Sequence, residues 1–130
     1  MTWIRETDPA KAEGKAKEIL DSLRKKIGFV PNTYKLMAGT PEVLEKVLEL
    51  DKATFKRGAL DPKTKHLIAM AVSAASGCQY CLAAHAALAQ NHGATHDEIA
   101  EAMAAAATIS LYNTFNKATG LEVDIRPKTD

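Results

Sequence analysis

The sequence predicts an all-α protein of about six helices, and three observations support this fold class. Apolar residues recur every three or four positions along most of the chain, which is the spacing of one helix face. Proline and capping residues precede these periodic stretches, and glycine follows them. No stretch alternates as a strand for more than a few residues, and residues 121–125 are the only weak candidate.

Three helices are expected in the first half of the chain. Their start signals are Asp8-Pro9, Pro31-Asn32 and Thr40-Pro41, and their expected stops are Gly28, Gly39 and Gly58. Proline suits the first helical position because its missing N–H would have no partner there. The third helix carries its apolar residues on one side, Phe55 among them, and its charged residues on the other.

Three further helices are expected in the second half. Their start signals are Asp61-Pro62, a new start near Cys78 and Thr95 to Glu98, and their expected ends are Ser76, Gly93 and Gly120. Thr95 and Glu98 have the spacing of a capping box, in which each side chain accepts a backbone N–H of the other residue. The polar segment after Gly120 is expected to be extended.

Length and composition limit the classes of function. A chain of 130 residues suits a single domain, 1–130. A net charge of +1 excludes the basic footprint of a nucleic-acid-binding protein. No window has the roughly 18 apolar residues of a membrane span, and the first residues lack a signal-peptide core, so we expect a cytoplasmic protein without a membrane partner. Short, alanine-rich helices bury limited apolar area, which favours association with further copies.

Both cysteines of the chain lie three residues apart, in Cys78-Gln79-Tyr80-Cys81, and His85 follows four residues later. A C-x-x-C dithiol can close a disulfide, bind a soft metal or act as a nucleophile with its own resolving thiol. On one helix, Cys81 and His85 lie only about 60° and 20° around the axis from Cys78, so the three share a face. Cys81 is nearer to the imidazole and Cys78 to the positive end of the helix, so the attacking thiol stays open.

Other interpretations of the same residues remain. The two cysteines could be small buried hydrophobes. Zinc could bind Cys78, Cys81 and His85 together with His66 from the preceding helix, although structural zinc sites usually take C-x-x-C from a turn. His66 could instead point to solvent. Tyr80 should face away from the cysteines and pack in the core, while two histidines are expected at the surface near helix ends: His92 and His96.

Residues 60–85, from Leu60 through the C-x-x-C motif to His85, resemble the core of the carboxymuconolactone decarboxylase and AhpD-like alkylhydroperoxidase superfamily. The resemblance is specific because four features occur together at set spacing: a helix, a Gly-Cys break, the dithiol and the following histidine. It extends more loosely over residues 31–121. The resemblance implies an AhpD-like helical bundle that assembles as a homo-trimer or as a homo-hexamer of dimers.

The resemblance also implies roles for individual residues. Cys81 would attack peroxide, Cys78 would resolve the sulfenic acid, and His85 would relay the proton. Two positions depart from the pattern: His66 stands where the peroxidases have a glutamate, and Tyr80 where the best-known members have histidine. An imidazole can serve as a base near neutral pH, so His66 is a candidate replacement. The decarboxylase branch generally lacks the cysteine pair, which argues against lactone decarboxylation.

These observations predict a thiol-dependent peroxidase or disulfide reductase of antioxidant defence, with Cys81, Cys78, His85 and His66 as its catalytic residues. We expect no bound cofactor and no metal. The expected substrate is a peroxide or a disulfide. The expected reductant is an external dithiol, for which the resemblance offers a lipoyl protein as donor and a peroxiredoxin as partner. The alternative is a zinc-binding or non-catalytic redox-sensing oligomer on the same fold.

Overall fold

The computed structural model describes residues 3–129, and within that range all regular structure is helical. The six helices are α1 (Gly14–Ile27), α2 (Asn32–Met37), α3 (Pro41–Phe55), α4 (Pro62–Ser76), α5 (Gln79–Asn91) and α6 (His96–Thr119). The all-α prediction is therefore confirmed. Residues 121–125, the weak strand candidate, are irregular. No helix of the described chain has both the length and the hydropathy needed to cross a bilayer.

The predicted start of the first helix at Pro9 is wrong. The Asp8 carboxylate does accept a backbone N–H, from Ala10 at 2.9 Å, and its carbonyl accepts that of Lys11 at 3.0 Å, but these bonds close only an isolated turn. Gly14 has φ +55°, in the left-handed region. A right-handed helix that began at Pro9 could not continue through such a residue. The helix α1 therefore begins only at Gly14.

The chain divides into two compact units, of which the first is Met1–Thr54. Its apolar core is formed by α1, α2, α3, the segments joining them and the segment before α1, and its buried residues are Ala12, Leu20, Leu23, Val30, Ala38 and Leu44. Leu20 and Leu44 are fully buried. The single-domain expectation remains a prediction.

The second unit, Phe55–Asp130, is built around α4, which packs against α5 and α6. The Asp61 side chain caps α4 by accepting the Thr64 N–H at 2.8 Å. Gly77 ends the helix with φ +75°, a conformation that glycine adopts without steric cost. The next N–H, of Cys78, returns to the Ser73 carbonyl at 3.0 Å. This tight reversal brings the start of α5 against the end of α4.

The capping box predicted for α6 is present, with Thr95 and Glu98 accepting each other's backbone N–H groups. The same Glu98 carboxylate pairs with Lys63 of α4 at 2.6 Å. None of the 24 residues of α6, all in the described chain, is buried. Its large exposed apolar residues are Ile109, Leu111, Tyr112 and Phe115.

Candidate active site at the start of α5

The two sulfurs of Cys78 and Cys81 lie within disulfide distance, and their Cα atoms are 5.4 Å apart. Cys78 is the N-cap of α5 and has an extended backbone (φ −88°, ψ 91°), while Cys81 lies inside the first turn. Both side chains are half-buried. The glycine reversal before α5 therefore presents a dithiol pair at the beginning of a helix, as the sequence predicts.

The two sulfurs have different hydrogen-bonding environments. The Cys81 backbone N–H donates to the Cys78 Sγ over 3.2 Å. The Cys78 sulfur thus takes the position of a capping oxygen, at the end of the helix where unpaired N–H groups create positive potential. Cys81 lies inside the first turn of α5, and His85 follows one turn further on the same helix face.

His66 of α4 and His85 of α5 meet across the interface between these helices. Their Nδ1 atoms are 3.1 Å apart, which is a hydrogen-bonding distance. His66 is only 4% exposed, so the alternative that it points to solvent is wrong. The structure joins the four predicted site residues in two pairs, Cys78 with Cys81 and His66 with His85. Cys81 and His85 lie in α5, Cys78 is its N-cap, and His66 lies in α4.

Aromatic rings surround the histidine pair. Phe55, the last residue of α3, stacks on His66 with centroids 4.6 Å apart and planes 5° apart. It also stacks on His85, with centroids 5.2 Å apart. The pair is therefore held against an apolar ring, a contact that the sequence did not reveal because Phe55 looked like an ordinary member of an apolar helix face.

His92 is a second residue whose position the sequence only partly predicts. It caps the end of α5 and is exposed, as expected, but its ring also stacks on that of His66, with centroids 5.5 Å apart. One cue existed, since His85 and His92 are seven residues apart and therefore lie two turns apart on one helix face.

The core-packing prediction for Tyr80 is wrong. Its side chain, in the first turn of α5, is 47% exposed and so is not part of the apolar core. His96 is exposed at the first residue of α6, as predicted.

A zinc site was the main alternative for the same residues. Among residues 3–129, no three His, Cys, Asp or Glu side chains converge in a way that could hold a metal ion. The two imidazoles face each other through nitrogen, and the two sulfurs face each other as well. The described residues therefore give the zinc alternative no support.

The fold and the site together define a class: all-helical proteins with a C-x-x-C dithiol at a helix start and a histidine one turn further on. Within it, the chain belongs to the carboxymuconolactone decarboxylase family, whose model matches residues 41–121. This matched region contains the dithiol and both histidines of the pair, and it confirms the superfamily resemblance.

Known relatives agree with this assignment. A crystal structure of the alkylhydroperoxidase AhpD core from Rhodospirillum rubrum is 32% identical, with a TM-score of 0.84 and 95% of each chain covered. A carboxymuconolactone decarboxylase family protein from Legionella pneumophila is 30% identical, with a TM-score of 0.55, 78% of this chain and 88% of that chain covered. A Paracoccus denitrificans protein called "Uncharacterized protein 4 in cox locus" is 40% identical over 82 residues, 59% of this chain and 74% of that protein. The chain therefore has an AhpD-like fold.

Proposed function

We propose that this protein is a thiol-dependent peroxidase or disulfide reductase of antioxidant defence. One observation carries the proposal: Cys78 and Cys81 lie within disulfide distance at the start of α5, one turn from a histidine that is paired with a second histidine. The structural similarity to an alkylhydroperoxidase AhpD core supports the same chemistry.

In the proposed oxidative half-reaction, the Cys81 thiol gives its proton to His85 and the thiolate attacks one peroxide oxygen. The O–O bond breaks, Cys81 becomes a sulfenic acid, and the alcohol or water leaves after taking up a proton. The Cys78 sulfur then attacks the Cys81 sulfur, and water is lost as the disulfide forms. Two electrons have passed from the dithiol to the peroxide.

His66 is proposed to assist as a hydrogen-bond acceptor. Each neutral imidazole has one protonated and one unprotonated nitrogen. When His85 accepts the Cys81 proton at Nε2, its Nδ1–H can donate to the Nδ1 of His66 over the observed 3.1 Å. A hydrogen bond from a charged donor is stronger than a neutral one, so His66 stabilises the charged form of His85 without itself being charged.

The cycle requires an external dithiol reductant to restore both cysteines, because the disulfide takes two electrons to open. A lipoyl group or the thiols of a partner protein such as a peroxiredoxin have this chemistry. With a protein disulfide in place of the peroxide, the same dithiol would act as a disulfide reductase.

The test is stopped-flow measurement of peroxide consumption with a dithiol donor in excess. We expect many turnovers per protein molecule, none with Cys81→Ser, and a single stalled oxidation to sulfenic acid with Cys78→Ser. The matched control is Ser76→Ala, which changes an exposed residue close to the dithiol and should leave turnover unchanged.

Unchanged turnover in Cys81→Ser would refute the assignment. One oxidation followed by a stall in the unmodified protein would favour the non-catalytic sensor.

We further propose that the protein acts as a homo-oligomer, a trimer or a hexamer, in which a second copy covers α6. Leu111, Phe115 and Ala118 follow each other at helical spacing and line a shallow groove on that helix. Such a continuous apolar helix face in a protein of this size is typical of an interface between subunits.

A further inference from the structure

We propose that His92 is a positioning residue, which holds the His66 ring in the plane that it needs to accept a hydrogen bond from His85. The inference rests on the proposed function and deepens it, because it adds a residue outside the four predicted site residues. It also gives a reason why an imidazole can serve at position 66, where the AhpD resemblance would place a glutamate.

The need for positioning arises from the shape of an imidazole. A carboxylate has two oxygens that both accept hydrogen bonds, so it keeps an acceptor when it rotates. The His66 ring has one Nδ1, which lies 3.1 Å from the Nδ1 of His85. The terminal torsion of a histidine side chain has broad energy wells. Rotation of the His66 ring would therefore carry its acceptor away from His85 unless other contacts fix the ring plane.

Two rings stack on His66 and supply such contacts. Phe55 lies with its centroid 4.6 Å from that of His66 and its plane at 5°. His92 lies with its centroid 5.5 Å from that of His66 and its plane at 19°. Because both rings are nearly parallel to His66, rotation of the His66 ring out of its plane would break both stacking contacts together. The two contacts therefore oppose the same motion.

The spacing along α5 places His92 for this contact. His85 and His92 are seven residues apart and share a helix face. The His66 centroid is 5.3 Å from that of His85 and 5.5 Å from that of His92. Between these two histidines on the same face lies Ala89, which is fully buried and whose single methyl group takes little space. One face of α5 thus supplies both histidines that contact the His66 ring.

The backbone at the end of α5 is anchored. The His92 N–H donates to the carbonyls of Leu88 at 3.2 Å and Ala89 at 3.1 Å. Gly93 follows with φ +85°, and the Ala94 N–H returns to the Ala89 carbonyl at 2.9 Å. These bonds belong to the backbone, and the His92 side chain is exposed. Replacing His92 should therefore remove a ring from His66 without unfolding the helix.

The experiment measures the tautomers of His66 and His85 by NMR. The sample is the oxidised full-length protein with nitrogen-15-labelled histidine at about pH 8, where histidine side chains are ordinarily neutral. Because one proton lies between the two Nδ1 atoms, we expect opposite tautomers, with one ring protonated at Nδ1 and the other at Nε2. In His92→Ala, both rings should shift toward the averaged nitrogen signals of a free imidazole, because the His66 ring is no longer held.

Two further variants separate stacking from other effects. His92→Phe keeps an aromatic ring that cannot titrate, so it should preserve the opposite tautomers. The control is His96→Ala, which removes an exposed histidine from the start of α6 and should change neither signal. Opposite tautomers that persist in His92→Ala would overturn the inference, and so would their loss in a folded His92→Phe protein.

A second measurement follows the Cys81 thiol in the reduced Cys78→Ser protein. Iodoacetamide alkylation at neutral pH should be about threefold slower when His92→Ala is added, and should recover with His92→Phe. A rate that His92→Ala leaves unchanged would contradict the positioning role. Neither measurement involves peroxide. Absence of peroxide turnover, with the expected tautomers present, would therefore refute the proposed function and leave the role of His92 in place.

Discussion

The Nδ1 atoms of His66 and His85 face each other at 3.1 Å. Only one proton fits between them, because two N–H groups pointing at each other would repel. The pair can therefore hold a single positive charge while the contact lasts. In the active state we propose, that charge balances the charge of the Cys81 thiolate. The glutamate that the AhpD resemblance would place at position 66 would leave an additional negative charge.

The first prediction concerns the acceptor role of His66. His66→Leu should slow iodoacetamide alkylation of Cys81 at neutral pH by about tenfold, because the charged form of His85 loses a hydrogen bond. The measurement uses the reduced Cys78→Ser protein, so that Cys81 is the only thiol. His66→Glu should restore or exceed the original rate, since a carboxylate stabilises the imidazolium by charge.

The matched control for this prediction is His96→Leu, which removes an exposed histidine from the start of α6. It should leave the alkylation rate unchanged. If His66→Leu also reacted at the original rate, with the fold intact by circular dichroism, the proposed hydrogen-bond acceptor role of His66 would be wrong.

The second prediction concerns the ring of Phe55, which lies against both histidines. Phe55→Leu should lower the free energy of unfolding by about 1 kcal/mol, since it keeps apolar volume but removes the aromatic stacking. Phe55→Ala should cost about 2 kcal/mol, because burial is lost as well and the site is only half-buried. Urea unfolding measures both values. Equal stability of the two variants would show that stacking, rather than apolar volume, accounts for the whole effect.

The third prediction is a dependence of stability on pH through Glu98. The hydrogen bond from Lys63, followed by the Thr95 backbone N–H, lowers the pKa of Glu98 from its usual 4.5. A lowered carboxyl pKa stabilises the folded protein above the unfolded-state pKa, and this contribution disappears as the pH falls through the folded-state value. Glu98→Gln should therefore lower Tm at neutral pH, and the difference should shrink as the pH is lowered below 4.5.

Glu101→Gln provides the comparison, because Glu101 lies about one turn further along α6 and is exposed. Scanning calorimetry at neutral and acid pH should show little change in Tm for this variant. A Tm difference for Glu98→Gln that stayed constant with pH would mean that the ionised carboxylate contributes nothing to holding α4 and α6 together.

The fourth prediction addresses the apolar face of α6. Phe115→Asp should convert the proposed oligomer into smaller species in sedimentation velocity, because a charge in an apolar interface costs desolvation energy. Phe29→Asp is the matched control, since Phe29 and Phe115 have similar exposures of 61% and 65%. An unmodified protein that sediments as a folded monomer at micromolar concentration would contradict the proposed assembly.

Local sequence signals predict most of the helical boundaries, because capping and glycine stops act through neighbouring backbone groups. The start of α4 at Pro62, its end at Ser76 and the Thr95 capping box follow directly from such signals. The start of α1 does not, because Asp8-Pro9 can begin an isolated turn as well as a helix. The left-handed backbone of Gly14 decides between the isolated turn and the helix. The sequence does not reveal this conformation, because glycine adopts positive and negative φ about equally readily.

The same distinction between local sequence signals and tertiary structure applies to the candidate site. The sequence by itself determines the dithiol and places His85 on the same helix face as the two cysteines. Residues three and four apart on one helix are neighbours whatever surrounds them. Only the tertiary structure brings His66 to His85, and adds the rings of Phe55 and His92 around them. These contacts depend on how α4 packs against α5 and on where α3 ends, and no spacing within a single helix encodes that packing.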